Sequence, residues 1–185
     1  ETIYLEVHEH YQKRSYRNRA HIVGANGLQR LSIPLGKGKN QQQPIKDVNL
    51  AYNEAWPKQH WQSIISAYGN APFFPYYADE IAPLYTQATD KLWDFNFDLL
   101  QLMFRLLQWD KVLQFTEEYH KEYPSNINDL RNKLKPGQAM TKNPEKFPAY
   151  PQVFTERHGF LPDLSILDLL FCQGPQANLY LSRTS

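Results

Sequence analysis

The stretch WPKQHWQSIISAYGN, residues 56–70, is where the chain changes its apolar period. Trp61, Ile64, Ile65 and Tyr68 recur at three- and four-residue intervals. Pro57 suits a first helical turn, where its missing N–H would have no partner, and Gly69-Asn70 ends the run. Upstream the signals are those of strands and turns. Strand-like runs cover Tyr4 to Val7, Ala20 to Val23 and Leu28 to Leu35, and Asn26-Gly27 between the last two is a strong hairpin cue because both residues tolerate positive φ. A polar, glycine-bearing segment, GKGKNQQQP (Gly36 to Pro44), reads as a loop, and a short alternating run follows at Ile45, Val48 and Leu50.

Downstream of residue 70 the reading is helical. A second helix starts at Pro75 and is interrupted at Pro83. Thr89 is placed to cap a third, longer helix whose inner face carries Leu92, Phe95, Leu99, Leu102, Met103, Leu106 and Leu107. Lys111 to Phe115 reads as a short strand returning to the sheet. Tyr123 to Pro151 is polar and proline-rich without periodicity, as a functional cover or a mobile arm would be. Ser165 with Asp168 three residues later makes a capping box ahead of Leu169, Leu170 and Phe171. Gly174-Pro175 stops that helix, and Ala177 to Leu181 reads as a final strand. The expected fold is α/β: residues 1–185 as one domain, with a mixed sheet, an N-terminal β-hairpin, several packing helices and a long irregular loop over 123–151.

Composition narrows the function. Twenty Lys and Arg against 19 Asp and Glu leave a net charge of +1, which argues against a general nucleic-acid or membrane-surface binder. The single cysteine, Cys172, lies in an apolar run and reads as a small core hydrophobe, so neither a disulfide framework nor a cysteine-rich zinc site is expected. Apolar runs fall short of the roughly 20 residues a membrane span needs, and the chain reads as cytoplasmic. Glu1 opens directly onto a strand-like run without an initiating methionine, as a chain trimmed at its front would.

Candidate chemistry gathers in a few places. Lys13, Arg14, Arg17 and Arg19 lie within seven residues, interleaved with Tyr11, Tyr16 and Asn18. Guanidinium groups offer planar paired donors that suit phosphate or carboxylate, while the alternative is a solvated basic turn paired with Glu6 or Glu9. His60, near a helix start, would be held neutral by the helix dipole and so able to act as a general base, or it is a helix-face histidine bonded to a carbonyl. His158, next to Gly159, belongs to a turn that a ligand could approach closely, or it bonds backbone and holds a turn shut. Asp163 would orient His158 or serve as acid or base, whereas Asp168 is accounted for as the capping partner of Ser165. EVHEH places Glu6, His8 and His10 on one strand face, but no partner pattern follows elsewhere and no metal site is expected. Of the aromatic run Phe73, Phe74, Tyr76 and Tyr77, the two tyrosines are the exposed pair suited to stack on a sugar. No phosphate-binding glycine loop and no Gly-x-Ser-x-Gly elbow occurs, which removes support for kinase, dinucleotide-dependent oxidoreductase and common hydrolase readings.

Three stretches together resemble the WbqC-like family: YQKRSYRNR (Tyr11 to Arg19) with NG and LSIPL behind it, HWQSIISAYGNAPFF (His60 to Phe74), and YPQVFTERHGFLPDLSILDLLFCQGP (Tyr150 to Pro175). The resemblance implies the company of bacterial O-antigen and capsule genes, a transferase role, and a further segment ahead of Glu1 that contributes to the site. It also favours Arg17, Asn18 and Arg19 as site residues. The leading expectation is a group-transfer enzyme of bacterial surface-polysaccharide biosynthesis, moving an acyl or amino-acyl group onto a nucleotide- or lipid-linked sugar. In it, Arg17 and Arg19 hold the acidic part, His60 or His158 takes the proton, and Tyr76 or Tyr77 stands at the rim of one shared cleft. The rival is a non-catalytic binding or scaffold subunit of a glycan-assembly pathway. No cofactor is specified by these residues.

Overall fold

In the computed structural model, which describes residues 2–36, 43–87, 89–133, 136 and 148–183, the change of period at Trp56 is the boundary between hairpin and helices. Helix α1, Trp56–Tyr68, has Pro57 in its first turn and buries Trp56, His60, Ile64, Ala67 and Tyr68, one stripe at helical spacing. Ile64 and Tyr68 have no exposed surface, and removing a side chain of that size from water contributes about 1.5–3 kcal/mol.

Ahead of it, β2 (Arg19–Gly24) and β3 (Gly27–Ser32) pair antiparallel in the register Arg19↔Ser32 to Gly24↔Gly27. Ala25 and Asn26 form the corner, and the positive φ falls on Gly27 alone, at 98°. Strand β1 (Thr2–Leu5) instead pairs parallel with β4 (Val112–Phe115). Parallel and antiparallel pairs are therefore both present, divided between two two-stranded sheets. The run at Ile45 to Leu50 forms a short 3-10 turn, Ile45–Asp47, and isolated bridges Leu35↔Leu50 and Asn49↔Lys91.

Helix α2, Phe74–Ile81, gives way at Pro83 to a 3-10 turn, Ala82–Tyr85. Helix α3, Leu92–Leu106, buries Leu92, Phe95, Leu102 and Met103. The expected Thr89 cap is not formed: Lys91 occupies the cap position without a side-chain bond, and Thr89 is tied through its backbone to the Tyr52 hydroxyl. The C-terminal part holds α4 (Thr155–His158), α5 (Ile166–Gln173) and α6 (Ala177–Arg183). Helix α6 corrects the expectation of a final strand. A 3-10 turn, Gly174–Gln176, hands the chain on helically, which buries Ala177 and packs Tyr180 and Leu181 against the core. One core cluster joins the hairpin, α1, α3 and α5. Of the GKGKNQQQP loop, residues 37–42 lie outside the described residues, as do 134–135 and 137–147 of the irregular 123–151 segment.

Candidate functional site

The arginine turn is shaped by Ser15. Its hydroxyl donates to the Gln12 carbonyl at 2.7 Å and accepts the Arg17 N–H at 3.4 Å, closing a tight bend after Arg14, whose φ is 59°. The 3-10 turn that follows, Tyr16–Asn18, sends successive side chains in different directions. Tyr16 donates to Asp163 Oδ2 at 2.6 Å. Arg17 lays its fork on Glu9, Nε to Oε1 at 2.7 Å and Nη2 to Oε2 at 2.5 Å, and Nη2 also reaches Asn132 Oδ1 at 3.2 Å. Asn18 accepts from the Tyr11 hydroxyl at 3.0 Å and donates to the Ile33 carbonyl at 3.0 Å, while Asn96 of α3 holds the Arg17 carbonyl at 2.7 Å.

Arg19 differs from its neighbours. Its Nε is buried and has no hydrogen-bond partner among the described residues. A buried donor without an acceptor costs about 1–3 kcal/mol, and more when it carries charge. Tyr11 and Tyr16 lie within electrostatic reach of this guanidinium. Burial raises the pKa of both phenols, with the Asp163 bond adding to the rise at Tyr16. Both therefore stay protonated at neutral pH.

The remaining candidates divide. His60 is buried among the rings of Trp56 and Tyr85, with Nε2 3.2 Å from the carbonyl of Ser32, the residue paired with Arg19 across the hairpin. Desolvation lowers its pKa, the backbone bond opposing, so burial rather than the expected helix dipole keeps it neutral. His158 bonds the Ala25 carbonyl at 3.1 Å and so pins the hairpin tip. That tip is about 20 Å from Arg19, since Arg19 to Ala25 is six steps along the strand at roughly 3.3 Å each. Tyr76 on α2 is 74% exposed, and Tyr77 packs against the core. The structure thus gathers Arg17, Asn18, Arg19 and Asp163 around the turn, brings His60 against it from the core side, and leaves His158 at the far end of the hairpin.

Glu6 and His8 join a separate network at the ends of β1 and β4. The Glu6 carboxylate accepts the His8 N–H at 2.8 Å, the Thr116 hydroxyl at 2.9 Å and the Tyr123 hydroxyl at 3.1 Å, with Arg131 at 3.6 Å. Arg131 lies over the rings of Tyr119 and Tyr123 and forks onto Asp129, whose pKa its hydrogen bonds lower to about 2. Among the described residues no three His, Cys, Asp or Glu side chains converge as a metal site would require.

Two features escaped the sequence reading. Asp168 is not the capping partner of Ser165, whose own N–H is taken by the His21 carbonyl at 2.7 Å. Ser165 caps α5 alone, and Asp168 is fully buried, Oδ2 accepting from the Tyr150 hydroxyl at 2.7 Å and from Gln152 Nε2 at 2.9 Å. Burial raises its pKa, with the donors opposing. Beside it lies a cavity of about 220 Å³ whose lining includes Tyr150, Phe160, Asp163, Ser165, Leu169 and Tyr180. The aromatic residues of this wall are legible as aromatic, but Tyr150, Phe160 and Tyr180 are up to 30 residues apart and no spacing brings them together.

By fold the chain is an α/β protein whose hairpin opens on a half-buried arginine turn. The sequence pattern of the WbqC-like protein family matches residues 2–139, more than half of the chain, and the chain belongs to that family. The matched span holds the arginine turn and α1, while residues 150–175 lie beyond it. The chain is also similar to the uncharacterized protein Rv1507c of Mycobacterium tuberculosis, 34% identical over 77 residues, or 42% of this chain and 33% of that protein, so the similarity spans about a third of the relative's length. No solved structure matches. No helix among the described residues is long and apolar enough to cross a membrane.

Proposed function

We propose that Arg19 binds the phosphate of a nucleotide- or lipid-linked sugar, and that the chain serves group transfer onto such a sugar in bacterial surface-polysaccharide biosynthesis. One observation carries this reading. Arg17 is neutralised by its fork on Glu9, whereas the neighbouring Arg19 keeps a buried Nε without an acceptor. A phosphate oxygen would supply that acceptor, with charge-assisted bonds roughly twice as strong as neutral ones. Asp163, joined to the same turn through Tyr16, is the group best placed to take a proton from an acceptor hydroxyl or amine. His60, buried and bonded to Ser32, and His158, at the hairpin tip, support the fold of the site from behind and from its far end.

Calorimetric titration with UDP- and dTDP-sugars tests the reading. Wild type should bind with a measurable heat, Arg19→Ala should lose at least about tenfold in affinity while keeping a cooperative thermal transition, and Arg17→Ala should lose less. A wild type that binds neither ligand would withdraw the phosphate role.

A further inference from the structure

The cavity beside Asp163 has a volume of about 220 Å³, room for one six-membered ring with its substituents. Its walls are mostly apolar, with the rings of Tyr150, Phe160 and Tyr180 set among aliphatic side chains such as Leu164 and Leu169. The Tyr150 ring stands edge-to-face with Phe160 at 5.3 Å and 74° and with Tyr180 at 5.4 Å and 78°, and the bond from its hydroxyl to the buried Asp168 fixes it there. Aromatic rings held in this way present rigid apolar surface to the C–H face of a sugar.

The polar end of the cavity is Asp163. Tyr16 occupies its Oδ2, and its Oδ1 has no protein donor among the described residues. The Asp163 backbone sits at φ 60°, in the left-handed region that aspartate enters more readily than most residues. Ser165 in the same lining accepts the Leu167 N–H at 3.4 Å, which leaves its hydroxyl proton to donate. An acyl chain filling this space would strip water from a carboxylate and give nothing back, whereas sugar hydroxyls would donate to it.

We propose that this cavity is a pyranose subsite, with Asp163 accepting ring hydroxyls and Tyr150, Phe160 and Tyr180 packing on the ring. The assignment rests on the reading of Arg19 as the phosphate site, which Tyr16 links to the cavity by lying within electrostatic reach of Arg19 and donating to Asp163. It gives the ligand a definite class, a hexose carrying phosphate at its anomeric carbon, and makes Asp163 a determinant of sugar specificity.

The test is a calorimetric series on the full chain with inorganic phosphate, the 1-phosphates of glucose, galactose and mannose, and hexyl phosphate. At least one hexose 1-phosphate should bind about tenfold or more tighter than inorganic phosphate. Asp163→Asn, which tolerates the left-handed backbone and still accepts from Tyr16, should lose that advantage over inorganic phosphate. Tyr180→Leu should do the same, as a second variant independent of the left-handed position. If phosphate binds and no hexose 1-phosphate binds more tightly, or if hexyl phosphate binds best, the pyranose subsite is overturned while the Arg19 site stands. If neither phosphate nor any sugar phosphate binds, the Arg19 reading falls and the subsite with it.

Discussion

Replacing Asp168 separates two costs that the fold combines at one buried carboxyl. In Asp168→Ala the Tyr150 hydroxyl and one Gln152 N–H lose their acceptor, while the other Gln152 bonds, to the Leu161 carbonyl at 2.8 Å and from its N–H at 2.9 Å, remain. Two stranded donors at about 1–3 kcal/mol each predict a loss of roughly 2–6 kcal/mol. For a chain of this length that lowers Tm by about 5–20 °C. Asp168→Asn keeps an acceptor for both donors and should stay within about 1 kcal/mol of wild type at pH 4. The two then diverge with pH. The folded pKa of Asp168 is raised by burial above 3.8, so its contribution is fully present below 3.8 and is lost as pH rises through the folded value. The asparagine variant has no such loss and should gain on wild type between pH 4 and pH 8. Thermal melts followed by circular dichroism across that range read both effects. Equal melting of the Ala and Asn variants, or a gap between Asn and wild type that does not change with pH, would refute the argument.

Three further outcomes follow from the geometry. His60 has a folded pKa depressed below 6.5 by burial, so in urea titrations wild type should lose stability as pH falls below 6.5, and His60→Phe, which keeps an aromatic ring beside Trp56 and Tyr85, should lose less. Gly174→Ala should cost about 3 kcal/mol or more, because φ there is 54° and the new Cβ would fall 2.3 Å from Phe73 Cδ1; a urea-midpoint shift worth under about 1 kcal/mol would contradict the packing. Glu9→Gln, by releasing Arg17 from its ion pair, should tighten pyrophosphate binding several-fold in calorimetry, and no change would show that Arg17 stands outside the site.

What the sequence made legible was local. Pro57 and the stripe from Trp61 to Tyr68 defined α1, and Asn26-Gly27 marked the hairpin, because helical period and turn chemistry depend on neighbours. Ala177, Leu179 and Leu181 alternate as a strand would, yet they continue a helix, since the turn at Gly174 delivers the chain to the core in that form. Asp168 matched a capping pattern three residues from Ser165, but its partners Tyr150 and Gln152 lie 18 and 16 residues upstream and are invisible to spacing. The same limit applies at the site. The sequence pointed to Arg17, Asn18 and Arg19 as a group, and only long-range packing distinguishes them: Glu9 neutralises Arg17, Tyr11 and Ile33 occupy Asn18, and Arg19 is left without an acceptor. Spacing sets Asp163 beside His158, and the structure joins it instead to Tyr16.

The atom on which the account turns can be observed directly. In ¹⁵N-labelled protein the Arg19 Nε–Hε resonance, assigned by its disappearance in Arg19→Lys, should move saturably on titration with inorganic pyrophosphate, while the Arg17 Nε–Hε resonance, held on Glu9, moves little. A shift confined to Arg17, or no shift at either arginine up to millimolar pyrophosphate, would contradict the assignment of Arg19 as the phosphate-binding residue.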